Sequence, residues 1–406
     1  MADSGHTAWL LTATALVFFM TPGLAFFYGG LVRAKNIVNT IMLSFMSIAV
    51  VSIVWVLWGY SLAFGTGNAY IGDLSLLGLS GVPFASGEGD AYPELAFVSF
   101  QMMFAIITPA LITGAFAERF QIKTYLIFLV LWSTLVYSPI THWVWAEKGW
   151  LLELGALDFA GGTVIHINAG IAAVAAALIV GKRRNPGLQP NNVPYVVLGA
   201  AILWFGWFGF NAGSALAAND SAANAFLVTN VAAATAALTW GLISMCRTGK
   251  IGAVGVATGA VAGLVAITPA AGAVGVLGSL AIGFGAGLLC FFAVELIHKT
   301  DMDDALDVFA VHGIGGIWGA IATGIFTVSA ITGGTAGLIE GNPSQVGIQA
   351  VGVVATLIYS GVVSFVILFI LDKIPGLGLR ASESDEDLGL DLASHGEQAT
   401  VRDGAD

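Results

Sequence analysis

The sequence predicts an all-α polytopic membrane protein, and three observations carry that prediction. Of its 406 residues, 57% are hydrophobic and only 10% are charged, whereas a soluble domain carries about 25% charge. Apolar runs of the length that a ~30 Å hydrocarbon core demands, about 20 residues each, recur eleven times. These runs are continuous rather than alternating, which excludes the strands of a membrane barrel. The mean hydropathy of +0.88 also excludes a disordered chain. With 14 Lys+Arg against 25 Asp+Glu, there is no basic patch for nucleic acid.

The charges between the runs justify each helix in order. The first run, 8–32, is closed by Arg33 and Lys35, and the second, 38–64, by a loop without bases. The third, 95–117, precedes Arg119 and Lys123, and the fourth, 122–141, leads into Trp143-Val-Trp145 and Lys148. The fifth, 161–181, stops at Lys182–Arg184; the sixth, 193–217, has no base after it. Arg247 and Lys250 follow the seventh, 224–246. The eighth, 251–270, and ninth, 273–298, are divided only around Ala270–Gly272, and Lys299 follows the ninth. The tenth is 305–329, and Lys373, Arg380 and Arg402 follow the eleventh, 345–371. Thirteen bases therefore occupy alternate loops and the tail, and Lys148 alone the others. By the positive-inside rule the N-terminus is expected outside and the C-terminus in the cytoplasm, after an odd number of crossings. No basic stretch precedes the first run, so it is expected to be a retained helix rather than a signal peptide.

Two regions result. Residues 1–371 are expected to form the eleven-helix domain, and residues 372–406 an acidic cytoplasmic tail with nine acids and three bases. The loops on the other side hold ten acids, from Asp3 to Glu340, which predicts a cation-attracting outer face. Cys246 and Cys290 lie in apolar runs and are expected to be buried, with no disulfide framework or zinc site. Many of the 53 glycines fall in small-xxx-small spacing, as in Gly255–Gly259, which suits close helix packing. No Gly-Lys-Ser/Thr follows them, which argues against phosphate binding.

Ionisable groups inside membrane helices are costly and mark function. The clearest are His166 on the fifth run and His312 on the tenth, each eight residues after an aspartate, Asp158 and Asp304. Each histidine would lie ~12 Å along its helix from the membrane edge. Five helices apart means opposite directions of approach, the pattern of a 5+5 inverted repeat with both histidines near the midplane. By themselves the histidines admit three readings: buried rings satisfied by backbone carbonyls, a metal pair lacking a third ligand, or pore-lining groups. Aromatic clusters offer cation-binding faces, at Phe100–Phe104, Trp143–Trp145 and Trp204–Phe210.

Together these motifs resemble the ammonium transporter / methylammonium permease / Rhesus family, over nearly the whole chain. The resemblance rests on Phe26-Phe-Tyr-Gly-Gly30, Phe100-Gln-Met-Met-Phe-Ala105, Asp158-Phe-Ala-Gly-Gly-Thr-Val-Ile-His-Ile-Asn168, Gly206-Trp-Phe-Gly-Phe-Asn-Ala-Gly-Ser214 and Asp303-Asp-Ala-Leu-Asp-Val-Phe-Ala-Val-His-Gly313. Gly378-Leu-Arg380, Gly389-Leu-Asp391 and His395-Gly-Glu397 resemble the tail of the prokaryotic, plant-like branch, which Rhesus proteins lack. The resemblance implies an ammonium transporter of the cell membrane, a homotrimer with one path per protomer, and no enzyme activity or cofactor. It implies an external ammonium site at Phe104, Trp145 and Ser214, and a stacked gate of Phe104 and Phe210. It further implies a twin-histidine pore at His166 and His312, and structural support from Asp158 and Trp207. A trimeric PII-type signal protein is the implied partner on the cytoplasmic face. Net electrogenic uptake is expected for this branch; a Rhesus-like electroneutral channel and a sensor signalling through its tail are the alternatives.

The chemistry fits the residues. Ammonium resembles potassium in size but donates directional hydrogen bonds and can lose a proton. A serine hydroxyl accepts such bonds, and Trp and Phe faces attract the cation. A dry constriction rejects a bare cation but passes neutral ammonia. Two adjacent imidazoles can then hydrogen-bond ammonia and share one proton.

Overall fold

A computed structural model describes residues 2–87, 89–187 and 190–400 of the chain. Among them the only extended pairing is an isolated antiparallel bridge between Phe120 and Arg380. In chain order the helices are α1 (Ser4–Leu31), α2 (Ala34–Phe64), α3 (Glu94–Phe116), α4 (122–145), α5 (Gly162–Val180) and α6 (Val193–Ala212). They continue as α7 (Asp220–Thr248), α8 (Ala253–Ile267), α9 (Val276–Ile297), α10 (Phe309–Phe326) and α11 (Ser344–Lys373). Ten helices among the described residues are long and apolar enough to cross a membrane; α8, with 15 residues, is shorter.

The ends follow local chemistry. Asp3 caps α1 by accepting the His6 N–H, and Asn219 caps α7 by accepting the Ala222 N–H. The eighth apolar run extends to 270, yet its helix ends at Ile267. Pro269 has no N–H with which to continue the ladder, and a turn carries the chain to Val276. The fourth helix runs past its expected end to Trp145, since nothing breaks it before Ala146.

Packing joins the two halves of the chain. α1 lies along α6, α5 along α10, and α7 against α8 and α9, while α11 covers α5. The α5–α10 crossing is unusually tight. A Cβ on Gly170 would lie 2.4 Å from the Gly313 Cα, and a Cβ on Gly316 would lie 3.1 Å from the Ile167 nitrogen. The contacts are reciprocal. Gly170 is four residues after His166 and meets the residue following His312; Gly316 is four after His312 and meets the residue following His166. Small residues permit that approach, and it sets the depth at which the two histidines face each other.

Large apolar side chains such as Leu238, Leu277 and Ile358 stand exposed on α7, α9 and α11, as expected of a surface that lipid or protein covers. Cys290 is buried, but Cys246 is exposed near the end of α7, contrary to the expectation from its apolar run. A run apolar all round does not distinguish a lipid-facing position from a core position.

The described part of the tail lies against the helices. Ser382 caps a short helix, Glu383–Leu388, by accepting the Asp385 N–H. The Arg380 Nη2 donates to Glu386 at 2.9 Å and its Nη1 to the Lys182 carbonyl at 2.7 Å. Asp391 is buried and accepts the Asn39 N–H at 2.8 Å, and the Leu390 N–H donates to Asn36 at 2.9 Å. Among charges counted from sequence, Glu88, Arg402, Asp403 and Asp406 lie outside the described residues.

Candidate functional site

The site begins where the chain enters α5. The Asp158 carboxylate accepts four successive backbone N–H groups, from Gly161, Gly162, Thr163 and Val164, at 2.9, 2.6, 2.8 and 3.1 Å. These are the unpaired donors of a helix start, and the tight loop needs φ +111° at Gly161, a conformation that favours glycine. Asp158 is thus consumed in capping, and its carbonyl accepts the Trp145 indole N–H at 2.8 Å. At the equivalent point of α10, Asp304 accepts the Phe309 N–H at 2.7 Å.

Each of these two helices opens with a wide π turn, Gly162–Ile167 in α5 and Phe309–Ile314 in α10. Such turns are rare and frequent at functional sites. They carry His166 and His312, whose Nδ1 atoms are 3.2 Å apart and whose rings are nearly parallel, at 18°. Both rings are buried. A contact between two Nδ1 atoms requires one to donate and the other to accept, so the two rings hold different tautomers. One Nε2 then carries a hydrogen and the other a lone pair. The His166 Nε2 is buried and has no partner in the protein. It lies among apolar neighbours in a lumen of ≈ 10 Å³ lined with Leu24, Ile107, Leu203, Trp207, Phe210 and His312. That is about the room of one water-sized molecule.

Above the histidines, a third π turn, Phe208–Ala212, carries Phe210. The Phe104 and Phe210 ring centroids are 4.5 Å apart, tilted at 52° rather than stacked in parallel, and both rings are fully buried. Phe104 also meets Trp145 edge-on at 5.9 Å. Trp207 stacks on His166 at 5.4 Å and donates its N–H to the Thr268 hydroxyl at 2.8 Å. Ser214 donates its hydroxyl to the Phe210 carbonyl at 2.8 Å, which leaves its oxygen free to accept. A cavity of ≈ 240 Å³ on the face away from the tail is lined by Phe104, Trp145 and Ser214 together with Gln101, Phe159 and Leu216. A cavity of ≈ 1020 Å³ opens on the tail side, between Lys182, Arg183, His298 and Asp303–Asp307.

The fold therefore gathers Phe104, Trp145, Asp158, His166, Trp207, Phe210, Ser214 and His312 around one axis. Gln101 and Phe159 fall within the motifs quoted above, which do not single them out, and the lumen residues Leu24, Ile107 and Leu203 do not stand out in the sequence. An apolar residue in an apolar helix carries no local signal that it faces a pore. Among the described residues no cluster of three metal-ligating side chains occurs.

The Ammonium Transporter Family model matches residues 8–400. The chain is similar to an ammonium transporter of Aquifex aeolicus, 52% identical over 98% of this chain and 93% of that protein. It is similar to one of Bacillus subtilis, 50% identical over 97% and 98%. The fold is similar to the crystal structure of Saccharomyces cerevisiae Mep2, with a TM-score of 0.88 and 38% identity over 94% of this chain and 88% of that one. A solved structure described as a sensor Amt protein also has a TM-score of 0.88, at 31% identity over 96% and 98%. Motifs, architecture and relatives agree: this chain belongs to the ammonium transporter family, as a multi-pass protein of the cell membrane and a transporter rather than an enzyme.

Proposed function

We propose that the chain takes up ammonium by recruiting the cation at Phe104, Trp145 and Ser214, removing one proton, and conducting ammonia past Phe104 and Phe210 along His166 and His312. The observation that carries this reading is the 3.2 Å Nδ1 contact inside an apolar lumen, directly beneath the two phenylalanines. A bare cation there would lose its hydration without replacement, at a cost of several kcal/mol. Ammonia carries no such penalty and finds one acceptor and one donor at the two Nε2 positions. The proton released when ammonium becomes ammonia enters the imidazole pair at the bare Nε2, the shared Nδ1 hydrogen changes rings, and the other Nε2 releases its proton toward the cytoplasm. Net uptake is then electrogenic. Asp158 and Trp207 support the site by holding the π turn and the His166 ring.

In this reading α8 is a crossing segment as well, giving eleven helices with the N-terminus outside and the tail in the cytoplasm. The reciprocal Gly170–Gly313 and Gly316–Ile167 contacts support an inverted repeat of α1–α5 and α6–α10. Three copies assemble as a homotrimer, each with its own path, and the docked tail offers a surface to a trimeric PII-type protein. Pull-down of that protein by the full chain, but not by one ending near Ile374, tests the partner.

Reconstituted liposomes given an ammonium gradient, with current and internal pH read together and potassium as control, test the mechanism. Inward current with ammonium and none with potassium is expected. Ammonia flux without current would favour the electroneutral channel, and a protein that moves neither would favour the sensor.

A further inference from the structure

Glu94 stands at the start of α3, ten residues before Phe104 and so ~15 Å from the gate along the helix. Its Oε1 accepts the Tyr60 hydroxyl at 3.1 Å. Around it Phe64 and Phe97 meet edge-on at 5.0 Å, Tyr60 lies 5.5 Å from Phe64, and Tyr92 stacks on Phe97 at 6.2 Å. Glu94 and these four rings line a cavity of ≈ 520 Å³, which also includes Trp145. The ≈ 240 Å³ cavity above Phe104 shares Phe64, Tyr92, Phe97 and Trp145 with it. An unbroken aromatic wall thus runs from a carboxylate at the mouth to the Trp145 face.

A carboxylate beside aromatic faces suits a small cation that carries N–H donors, because the oxygens accept its hydrogens and the rings hold its charge. The remaining charges on this cavity are Asp90, Glu147 and Lys148. Lys148 is the one cation among them, and Asp73 interacts with its charge. We propose that Glu94, with Tyr60, Phe64, Tyr92 and Phe97, forms a second cation site for ammonium and small alkylammonium ions, upstream of Phe104, Trp145 and Ser214. Its separation from the gate exceeds the ~8 Å Debye length of physiological salt. It therefore raises the local cation concentration and does not alter the barrier. The site selects for positive charge and small size; rejection of potassium stays with the gate and the narrow histidine lumen below it.

This inference rests on the transport reading above, and initial-rate uptake of methylammonium by proteoliposomes separates the two. At low ionic strength, Glu94→Gln should raise KM about three- to tenfold with an unchanged maximal rate. That gap should close in several hundred millimolar salt, and Glu94→Asp should restore KM. Glutamine keeps a hydrogen-bond acceptor for Tyr60, so a carboxylate that only anchors Tyr60 predicts no change in KM. An unchanged KM in Glu94→Gln, or an equal fall in maximal rate in both variants, would overturn the second site. A wild type that takes up no methylammonium would instead overturn the transport reading.

Discussion

Gly170 abuts Gly313 so closely that a single added carbon on Gly170 would lie 2.4 Å from the Gly313 Cα. This crossing of α5 and α10 sets the separation of the histidine rings one turn away. Overpacking such a contact costs about 1–3 kcal/mol. Gly170→Val is expected to lower the thermal midpoint of the purified protein and to reduce uptake, and Gly316→Val to do the same. Gly347→Ala, where nothing lies within 4 Å, is the control and should leave both unchanged. Equal midpoints for Gly170→Val and the control would refute this role for the crossing.

His166→Ala and His312→Ala remove one partner each from the 3.2 Å pair. Leaving the other ring's buried nitrogen without its partner costs about 1–3 kcal/mol, which predicts a drop in ammonium flux of at least about fivefold with the protein still folded. Wild-type flux that excludes potassium in both variants would end the proton-relay reading.

The gate and the recruitment site should separate kinetically. Trp145→Leu removes a cation–π face worth about 0.5–2 kcal/mol. It should raise the KM for ammonium several-fold and weaken selectivity, with little effect on the maximal rate. Phe210→Ala removes one of two rings 4.5 Å apart and should open the gate without creating a potassium current, because the narrow histidine lumen remains. A potassium current in Phe210→Ala would mean that the two rings alone exclude hydrated cations.

Asp304 predicts a pH dependence of stability. It lies before α10, outside the membrane-spanning segments, and burial, followed by the charge of Asp307, raises its pKa from 3.8 to about 7. The folded chain therefore holds this proton more tightly than the unfolded chain does. Stability from this group is full below the unfolded pKa of 3.8, falls as pH rises, and is lost above about 7. Asp304→Asn keeps an acceptor for the Phe309 N–H and removes the titration. Thermal midpoints measured from pH 4.5 to 8 should show the variant gaining on the wild type up to about pH 7 and then running parallel. A constant difference across that range would show that Asp304 does not titrate in this way.

Much of the architecture was legible in the residue order. Each apolar run corresponds to a helix, and the errors fall where a local rule competed with length, as at Pro269. His166 and His312 stood out because an ionisable group is conspicuous in an apolar run. Cys246 did not reveal its exposure, and Leu24, Ile107 and Leu203 did not reveal that they line the lumen. In these helices the lipid-facing, core-facing and pore-facing sides are all apolar, so there is no amphipathic stripe to read.

By itself the sequence determined the solvent, the helical segments, the alternation of basic loops and the residues able to handle a proton, because each depends on a single short stretch of chain. The tertiary structure decided which of those residues meet. It brought two nitrogens separated by 146 positions to 3.2 Å, placed Phe210 over them on a π turn, and spent Asp158 on four backbone donors rather than on the lumen. Those outcomes depend on how closely α5 and α10 can approach, and that distance is set by the glycines at their crossing.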